Sequence, residues 1–255
     1  MSTVNKEFVQ SLERGLAVVR AFSRERPSMT LAEAARETGL TRATARRLLF
    51  TLCALGYATS DGKRFTLTPQ VLDIGYAYLS SLDLTGIAQS EMEALVECTH
   101  ESCSAAVLDG TEIVYVVRVP TKRIMTISLG LGSRLPAHAA SMGRVLLADL
   151  PPAQLDDYLD TAKLEPLTER TITDPGALRS ELDKVRRQGW ALVDQELEEG
   201  IRSVAAPLRD RHDRAVAALN VSSHAGRVDL GTLRGDFLPA VVETAARISE
   251  RLARR

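Results

Sequence analysis

The 255-residue sequence holds no run of about 18 apolar residues, so no membrane-spanning helix is expected. Its first ten residues, MSTVNKEFVQ, lack an apolar signal core, and the expected location is cytoplasmic. Cysteine is scarce. Cys53, Cys98 and Cys103 form an odd set without a CxxC pair, which argues for reduced thiols over a disulfide frame or a zinc site. Cys53 reads as helix core. Nucleotide signatures are missing too: there is no GxGxxG after a strand-like run and no GxxxxGK[ST]. His138 and Ser141 stand three apart, but Ala139-Ala140-Ser141-Met142-Gly143 is not GxSxG, and no acid is placed beside them. His212 and His224 lack ligand spacing to each other or to Cys98 and Cys103. The run Glu196, Glu198 and Glu199 reads as a solvated turn before an acidic site. No catalytic residue, cofactor or metal is expected.

What is present is uneven in arrangement. Composition is 45% apolar and 25% charged, as in a globular chain, and the length suits one large or two smaller domains. Net charge is −1, but residues 1–65 carry eleven Lys and Arg against six acids, so this head is +5 and the remainder −6. A basic module on an acidic body is the footprint of a nucleic-acid reader joined to something else.

The segment Thr30 to Gly56, TLAEAARETGLTRATARRLLFTLCALG, gives that head a form. Thr30 and Glu33 make a capping box at the start of a helix with Leu31, Ala34 and Ala35 on one face. Gly39 ends it, and Thr41 caps a second helix that turns Ala45, Leu48, Leu49 and Leu52 inward. Thr41, Arg42, Thr44, Arg46 and Arg47 occupy the opposite, N-terminal side. Two short helices with a tight turn and a basic front fit a helix-turn-helix whose second helix enters the major groove, where arginine binds phosphate or the guanine edge. A plain helical hairpin with a solvated basic face is the alternative.

Before it, Ser11 is expected to cap a support helix striped by Leu12, Leu16, Val19 and Phe22. After it, Asp61-Gly62 signals a type I′ hairpin between Tyr57–Thr59 and Arg64–Leu67, a wing that brings Lys63 and Arg64 to phosphate. Thr68-Pro69 starts a linker helix with Leu72, Tyr76 and Leu79 in line, broken by Asp83 to Gly86. A helix follows over about Ile87–Cys98. From Ser102 the period shortens. Strands are expected on both sides of Asp109-Gly110, at Arg123–Leu129, Trp190–Asp194, Ser203–Leu208 and Ala215–Ser222. Helices are expected at Ala139–Ala148, Pro152–Leu159, from Asp174-Pro175 to Gly189, and along Phe237, Val241, Ala245 and Ile248. Hairpins with helices set apart indicate an α+β domain on an antiparallel sheet. The expected domains are 1–68, a winged helix-turn-helix; 69–83, a linker helix; and 84–255, this α+β domain.

With LGSRLPAHAASMGRVLLA, EEGIRSVAAPL and ALNVSS behind such a head, the chain resembles the IclR family of bacterial transcription regulators from about Phe8 to Arg251. SRLPA followed by SMGRVLLA is similar to the subgroup controlling β-ketoadipate, protocatechuate and 4-hydroxybenzoate catabolism. The resemblance implies a GAF-like effector domain, dimers and dimers of dimers, binding to double-stranded operator DNA, and control by a small carboxylate. It also implies an effector pocket between the sheet and the segment Arg134 to Gly143, completed by Ser203 to Ala205 and Asn220 to Ser222. Within it Arg134 would pair a carboxylate, the helix start at Ser141, Met142 and Gly143 would attract an anion, and Ser203, Ala205, Asn220 and Ser222 would line the wall. Ser203 departs from relatives that carry cysteine there. The other reading is a small-molecule binding protein or hydrolase-like enzyme whose N-terminal helices meet another partner.

Overall fold

The computed structural model describes residues 7–81, 84–121 and 129–254. The chain divides into two compact units, Met1–Tyr78 and Leu79–Arg255.

In the first unit, α1 (Gln10–Arg20) precedes β1 (Ser28–Thr30), α2 (Leu31–Thr38), α3 (Arg42–Ala54), β2 (Ala58–Ser60) and β3 (Arg64–Leu67). A 3-10 turn at Pro69–Val71 leads into α4 (Leu72–Ser81). The capping box forms as expected: Thr30 Oγ1 accepts from Glu33 N–H, and the Glu33 carboxylate accepts from Thr30 N–H at 2.7 Å. Gly39 takes φ +66, and Thr41 Oγ1 accepts from Thr44 N–H. Val18, Met29, Ala34, Leu49 and Phe65 form the core, with Phe22, Leu48, Leu52 and Cys53 packed against it.

Three local expectations change here. Val9, not Ser11, occupies the cap of α1, and no side chain closes it. On that helix Val18 is buried, whereas Leu12 is 63% and Leu16 45% exposed. The wing turn has positive φ at Gly62 alone, so it is not type I′, which needs both central residues there. The Asp61 carboxylate instead accepts from Lys63 N–H and Arg64 N–H, and these bonds hold it below the usual aspartate pKa. β1 adds a third strand, giving the order β1-β3-β2.

The second unit is built on a six-stranded antiparallel sheet of order β6-β5-β4-β9-β8-β7. Its strands are β4 (Ser102–Asp109), β5 (Glu112–Val119), β6 (Arg134–Pro136), β7 (Ala191–Asp194), β8 (Ile201–Arg209) and β9 (Ala215–His224). On one face α5 (Leu84–Thr99) and α10 (Leu238–Ala253) cover Cys103, Ala105, Val117, Val204, Leu219 and Val221. A short α9 (Leu230–Thr232) and a π turn lead into α10. On the other face α6 (Ser141–Asp149), α7 (Pro152–Thr161) and α8 (Pro175–Gln188) cover Ala106, Ile113, Tyr115, Ala191, Ala205 and Ala218. Strand residues alternate between the two cores, as a sheet buried on both sides requires. Asp174 caps α8, and Gly189 ends it at φ +80.

Gly86 lies within α5 rather than breaking a helix, and β6 forms at Arg134–Pro136, outside the strands expected from sequence. The expected strand Arg123–Leu129 lies, but for Leu129, outside the described residues, as do Leu82 and Asp83. The division between the units falls inside α4, after Tyr78, within the segment 69–83 read from sequence as a linker helix. Among the described residues no helix is long and apolar enough to cross a membrane, and no cluster of metal-binding side chains occurs.

Candidate functional site

The first unit presents cations along the exposed side of α3. Burying Ala45 and Leu49 turns Arg42, Ala43, Arg46 and Arg47 outward along the first turns of α3. Thr41 and Thr44 join through their hydroxyls at 2.9 Å, so the front of the helix is fixed by its own cap. Arg46 lies 5.2 Å from the Phe50 ring centroid, and Phe50 meets Phe65 of β3 edge to face. The wing-tip pair splits. Lys63 is exposed. Arg64 donates through Nε to Ser28 Oγ at 2.9 Å and through NH2 to Ser28 O at 2.8 Å, and it pairs with Glu33. Expected as a free contact to phosphate, Arg64 instead ties β3 to β1 and the α2 capping box.

The second unit presents a cavity on the α6 face of its sheet. It holds about 690 Å³ of space free of atoms, part of it continuous with outside solvent. The pairing register lays out its floor. Arg118 of β5 stands opposite Ser104 of β4, and Ser104 opposite Asn220 of β9. In the next row Ser102, Ser222, Ser203 and Val193 follow one another across β4, β9, β8 and β7. The start of α6 supplies Ala140, Ser141 and Met142, the segment before β8 supplies Leu197 and Glu198, and β8 supplies Ile201.

Polar groups inside are unevenly satisfied. Ser203 Oγ donates to Ser141 Oγ at 2.8 Å, and Asn220 Nδ2 donates to Ser222 Oγ at 2.9 Å. Asn220 Oδ1 is buried and has no hydrogen-bond partner among the described residues. Burial pushes the Tyr115 phenol up to about 12 against the opposing charge of Arg118, so it stays protonated. Arg118 is the cation of the lining, and its side chain makes no hydrogen bond or ion pair among the described residues.

Of the side chains expected here, Ser141, Met142, Ser203, Asn220 and Ser222 line the cavity, and Arg134, Gly143 and Ala205 do not. Arg134 sits on β6, where its guanidinium donates to Glu112 at 2.6 Å and to Asp109 at 2.7 Å. Those carboxylates occupy the arginine outside the cavity. A Cβ on Gly143 would lie 2.1 Å from the Ala137 carbonyl oxygen, so this glycine permits the close approach of α6 to the preceding turn. Ala205 is wholly buried in the core beneath α6.

Arg118 was not found by sequence reasoning because simple alternation misplaces it. Tyr115 and Arg118 are three residues apart and would face opposite sides of a regular strand. The register shifts between Ala105 and Ala106, so Ala105 pairs with Val117 and Ala106 with Tyr115, leaving Val116 as the extra residue of a bulge. Val116 and Val117 both enter the α5/α10 core, and Tyr115 and Arg118 both reach the cavity. The available signal was one cation inside the apolar run EIVYVVRV.

A second missed pair braces the cavity wall. Arg144 of α6 is 1% exposed. It donates to both Glu196 oxygens, with NH1 at 2.8 Å, and through Nε to the His138 carbonyl at 2.9 Å. Glu196 also accepts from Ile172 N–H, and the Thr168 and Thr171 hydroxyls bind the carbonyls of Gln195 and Glu196. Glu196, expected in a solvated turn, therefore anchors the segment that delivers Leu197 and Glu198. His138 is buried with Nε2 at the Glu165 carbonyl, and burial chiefly lowers its pKa. Ser141 bonds Ser203, so the described contacts contain no Ser–His pair.

Comparison with known proteins bears on both regions. Residues 11–62 match the IclR helix-turn-helix domain, and residues 76–250 match the bacterial transcriptional regulator IclR C-terminal domain. The chain is 43% identical over 251 residues to the Pca regulon regulatory protein of Pseudomonas putida, covering 98% of this chain and 86% of that one. It is 36% identical to the p-hydroxybenzoate hydroxylase transcriptional activator of Acinetobacter baylyi, covering 94% and 90%. A solved structure of a proposed transcriptional regulator from Rhodococcus sp. RHA1 is 51% identical, superposes with a TM-score of 0.87, and is covered to 98% by 96% of this chain. The chain belongs to the IclR family of bacterial transcriptional regulators.

Proposed function

We propose that this regulator reads operator DNA with α3 and its wing, and that a small carboxylate of aromatic catabolism controls it by entering the cavity and pairing with Arg118. The observation that carries the reading is a cation that makes no ion pair among the described residues, set among buried hydroxyls and an amide. An arginine fork is suited to bidentate pairing with a carboxylate. The first turn of α6 adds the positive end of a helix dipole and backbone N–H groups without intrahelical partners. Aromatic catabolism as the setting follows from likeness to the p-hydroxybenzoate hydroxylase activator.

On the DNA side, Arg42, Arg46 and Arg47 reach the major groove, and Thr41 and Thr44 stand at the helix front that approaches the phosphates. Lys63 meets the backbone from the wing. A module this small makes few base contacts, so two copies on a palindromic site are expected. Leu12 and Leu16 of α1, and Leu72 and Tyr76 of α4, the last at 69%, are exposed apolar residues that a second copy would cover. The protein works in the cytoplasm and carries out no catalysis. The hydrolase-like reading is disfavoured because Ser141 and His138 face different partners.

Duplex operator DNA titrated at two salt concentrations, with and without 4-hydroxybenzoate, tests the reading. A steep salt dependence and an acid-dependent shift in affinity are expected. Coupling must be reciprocal, so DNA changes the affinity for the acid by the same factor. Affinity for DNA indifferent to salt, or to every acid of the pathway, contradicts the proposal.

A further inference from the structure

Three arginines stand on the exposed side of α3, and they are not equivalent. The side chains of Arg42 and Arg47 make no hydrogen bond, ion pair or ring contact among the described residues. Arg46 makes one contact: its guanidinium carbon lies 5.2 Å from the centroid of the Phe50 ring. A helical side chain leans toward the N-terminus, so residue i+4 covers the turn of residue i. Phe50 thereby places its ring beside the Arg46 fork.

The ring is itself held. Phe50 meets Phe65 edge to face, with centroids 5.7 Å apart and planes at 78°. Phe65 is 3% exposed and belongs to the core of the first unit, on β3 opposite Met29 of β1. Phe50 remains 50% exposed, on the same helix as the three arginines. One ring therefore leans on the wing strand and offers itself to a guanidinium.

This restraint bears on DNA reading. A free arginine loses rotamer freedom when its fork is fixed on a base edge, and that loss opposes binding. The negative face of an aromatic ring attracts a guanidinium and restricts it before DNA arrives. Arg42 and Arg47 have no such restraint.

We infer that Phe50 is a positioning residue for operator recognition: braced by Phe65, it presets the Arg46 side chain on α3, so that preference at the base pair Arg46 reads depends on the ring. This rests on the proposed reading of the groove by α3 and deepens it. Phe50 acts through Arg46, and not by a contact of its own with a thymine methyl, which apolar side chains in the major groove also make.

The test is a double-mutant cycle on the full chain, read by quantitative electrophoretic shifts. The probe is a duplex that the protein selects from a random-sequence pool, with its single-base variants. The proteins are the parent, Phe50→Leu, Arg46→Ala and the pair. Leucine keeps an apolar contact for Phe65 and removes the π face. Phe50→Leu should weaken binding about two- to fivefold per half-site, the factor to which a cation–π contact at an exposed site corresponds. The loss should relax preference at the same base pair as Arg46→Ala does, and it should vanish in the Arg46→Ala background. Phe50→Tyr keeps the ring and should bind like the parent. A loss of equal size with and without Arg46 gives Phe50 a contact of its own and overturns the inference. Affinity of Phe50→Leu equal to or above the parent's overturns it too. Both results leave α3 as the reading helix. Arg46→Ala that relaxes preference at no base pair removes Arg46 from base reading, and the inference with it. A pool from which no duplex is selected removes the reading by α3 itself. A general loss of stability lowers affinity for every duplex alike, so it does not mimic relaxed preference at one pair. Where leucine disturbs the fold, Phe50→Met serves the same comparison.

Discussion

The outer face of α3 and the floor of the cavity use arginine in opposite ways. Arg42, Arg46 and Arg47 are exposed, follow one another along a single helix, and touch little of their own domain. Arg118 and Arg144 are held by strands, a bulge and a distant loop, and their surroundings come from segments scattered between residues 102 and 222. The difference teaches where each function is encoded. A groove-reading surface is written locally and can be changed without unfolding anything. A cavity is written by register, and its polar groups also hold the fold together.

The sharpest contrast between the regions is thermodynamic. Glu196→Ala leaves the buried Arg144 guanidinium without its partner, which should cost about 3–5 kcal/mol of stability. Denaturant unfolding should show this loss in the transition of the second unit. Alanine at Arg42, Arg46 or Arg47 should change stability by no more than about 0.5 kcal/mol. A Glu196→Ala protein as stable as the parent would erase the contrast.

Affinity for operator DNA should follow the reverse pattern. Each of Arg42, Arg46 and Arg47 that reads a base should cost about 1–3 kcal/mol when truncated, with relaxed sequence preference at its base pair. Quantitative electrophoretic shifts over single-base operator variants check this. If the triple alanine variant retains operator affinity, α3 is not the reading helix.

Within the wing, neighbouring residues separate the two behaviours. Lys63→Ala should lower the slope of log affinity against log salt by about 0.9 per lost phosphate contact, with no change in stability. Arg64→Ala should lower stability by releasing Ser28 and Glu33 from β3, with the smaller effect on the slope. Equal slopes for parent and Lys63→Ala would take the wing tip off the backbone.

Much of this division was legible before the structure. Thr30 with Glu33, Gly39, Thr41, Asp174 and Gly189 act through bonds within a few residues of themselves, so the helices they bound could be read locally. The three-residue strands β1 and β6 could not, because they exist only through pairing with β3 and β5. Arg134 carried the chemistry of a carboxylate ligand, but Asp109 and Glu112 neutralise it from the β4–β5 hairpin. Gly143 resembled an anion-binding glycine and is required by the Ala137 backbone. Arg118 was hidden by one extra residue in a strand. Ser141, Ser203, Asn220 and Ser222 came from the family resemblance, which carried what local chemistry could not.

The smallest expected effect concerns pH. Burial lowers the His138 pKa below the ordinary value of 6.5. Between those two values the unfolded chain binds a proton that the folded chain does not, so this histidine's contribution falls as pH drops through 6.5 and levels off below the folded pKa. His138→Asn should flatten that part of the stability profile in urea titrations between neutral and mildly acidic pH. An unchanged profile would place the proton uptake elsewhere.

The central claim is that Arg118, and not Arg134, receives the effector's carboxylate. Calorimetric titration of 4-hydroxybenzoate into the parent, Arg118→Met and Arg134→Met tests it most directly. Arg118→Met should lose at least about tenfold in affinity, in keeping with a charged hydrogen bond, while Arg134→Met binds like the parent. Loss of binding in Arg134→Met with Arg118→Met undiminished would contradict the account.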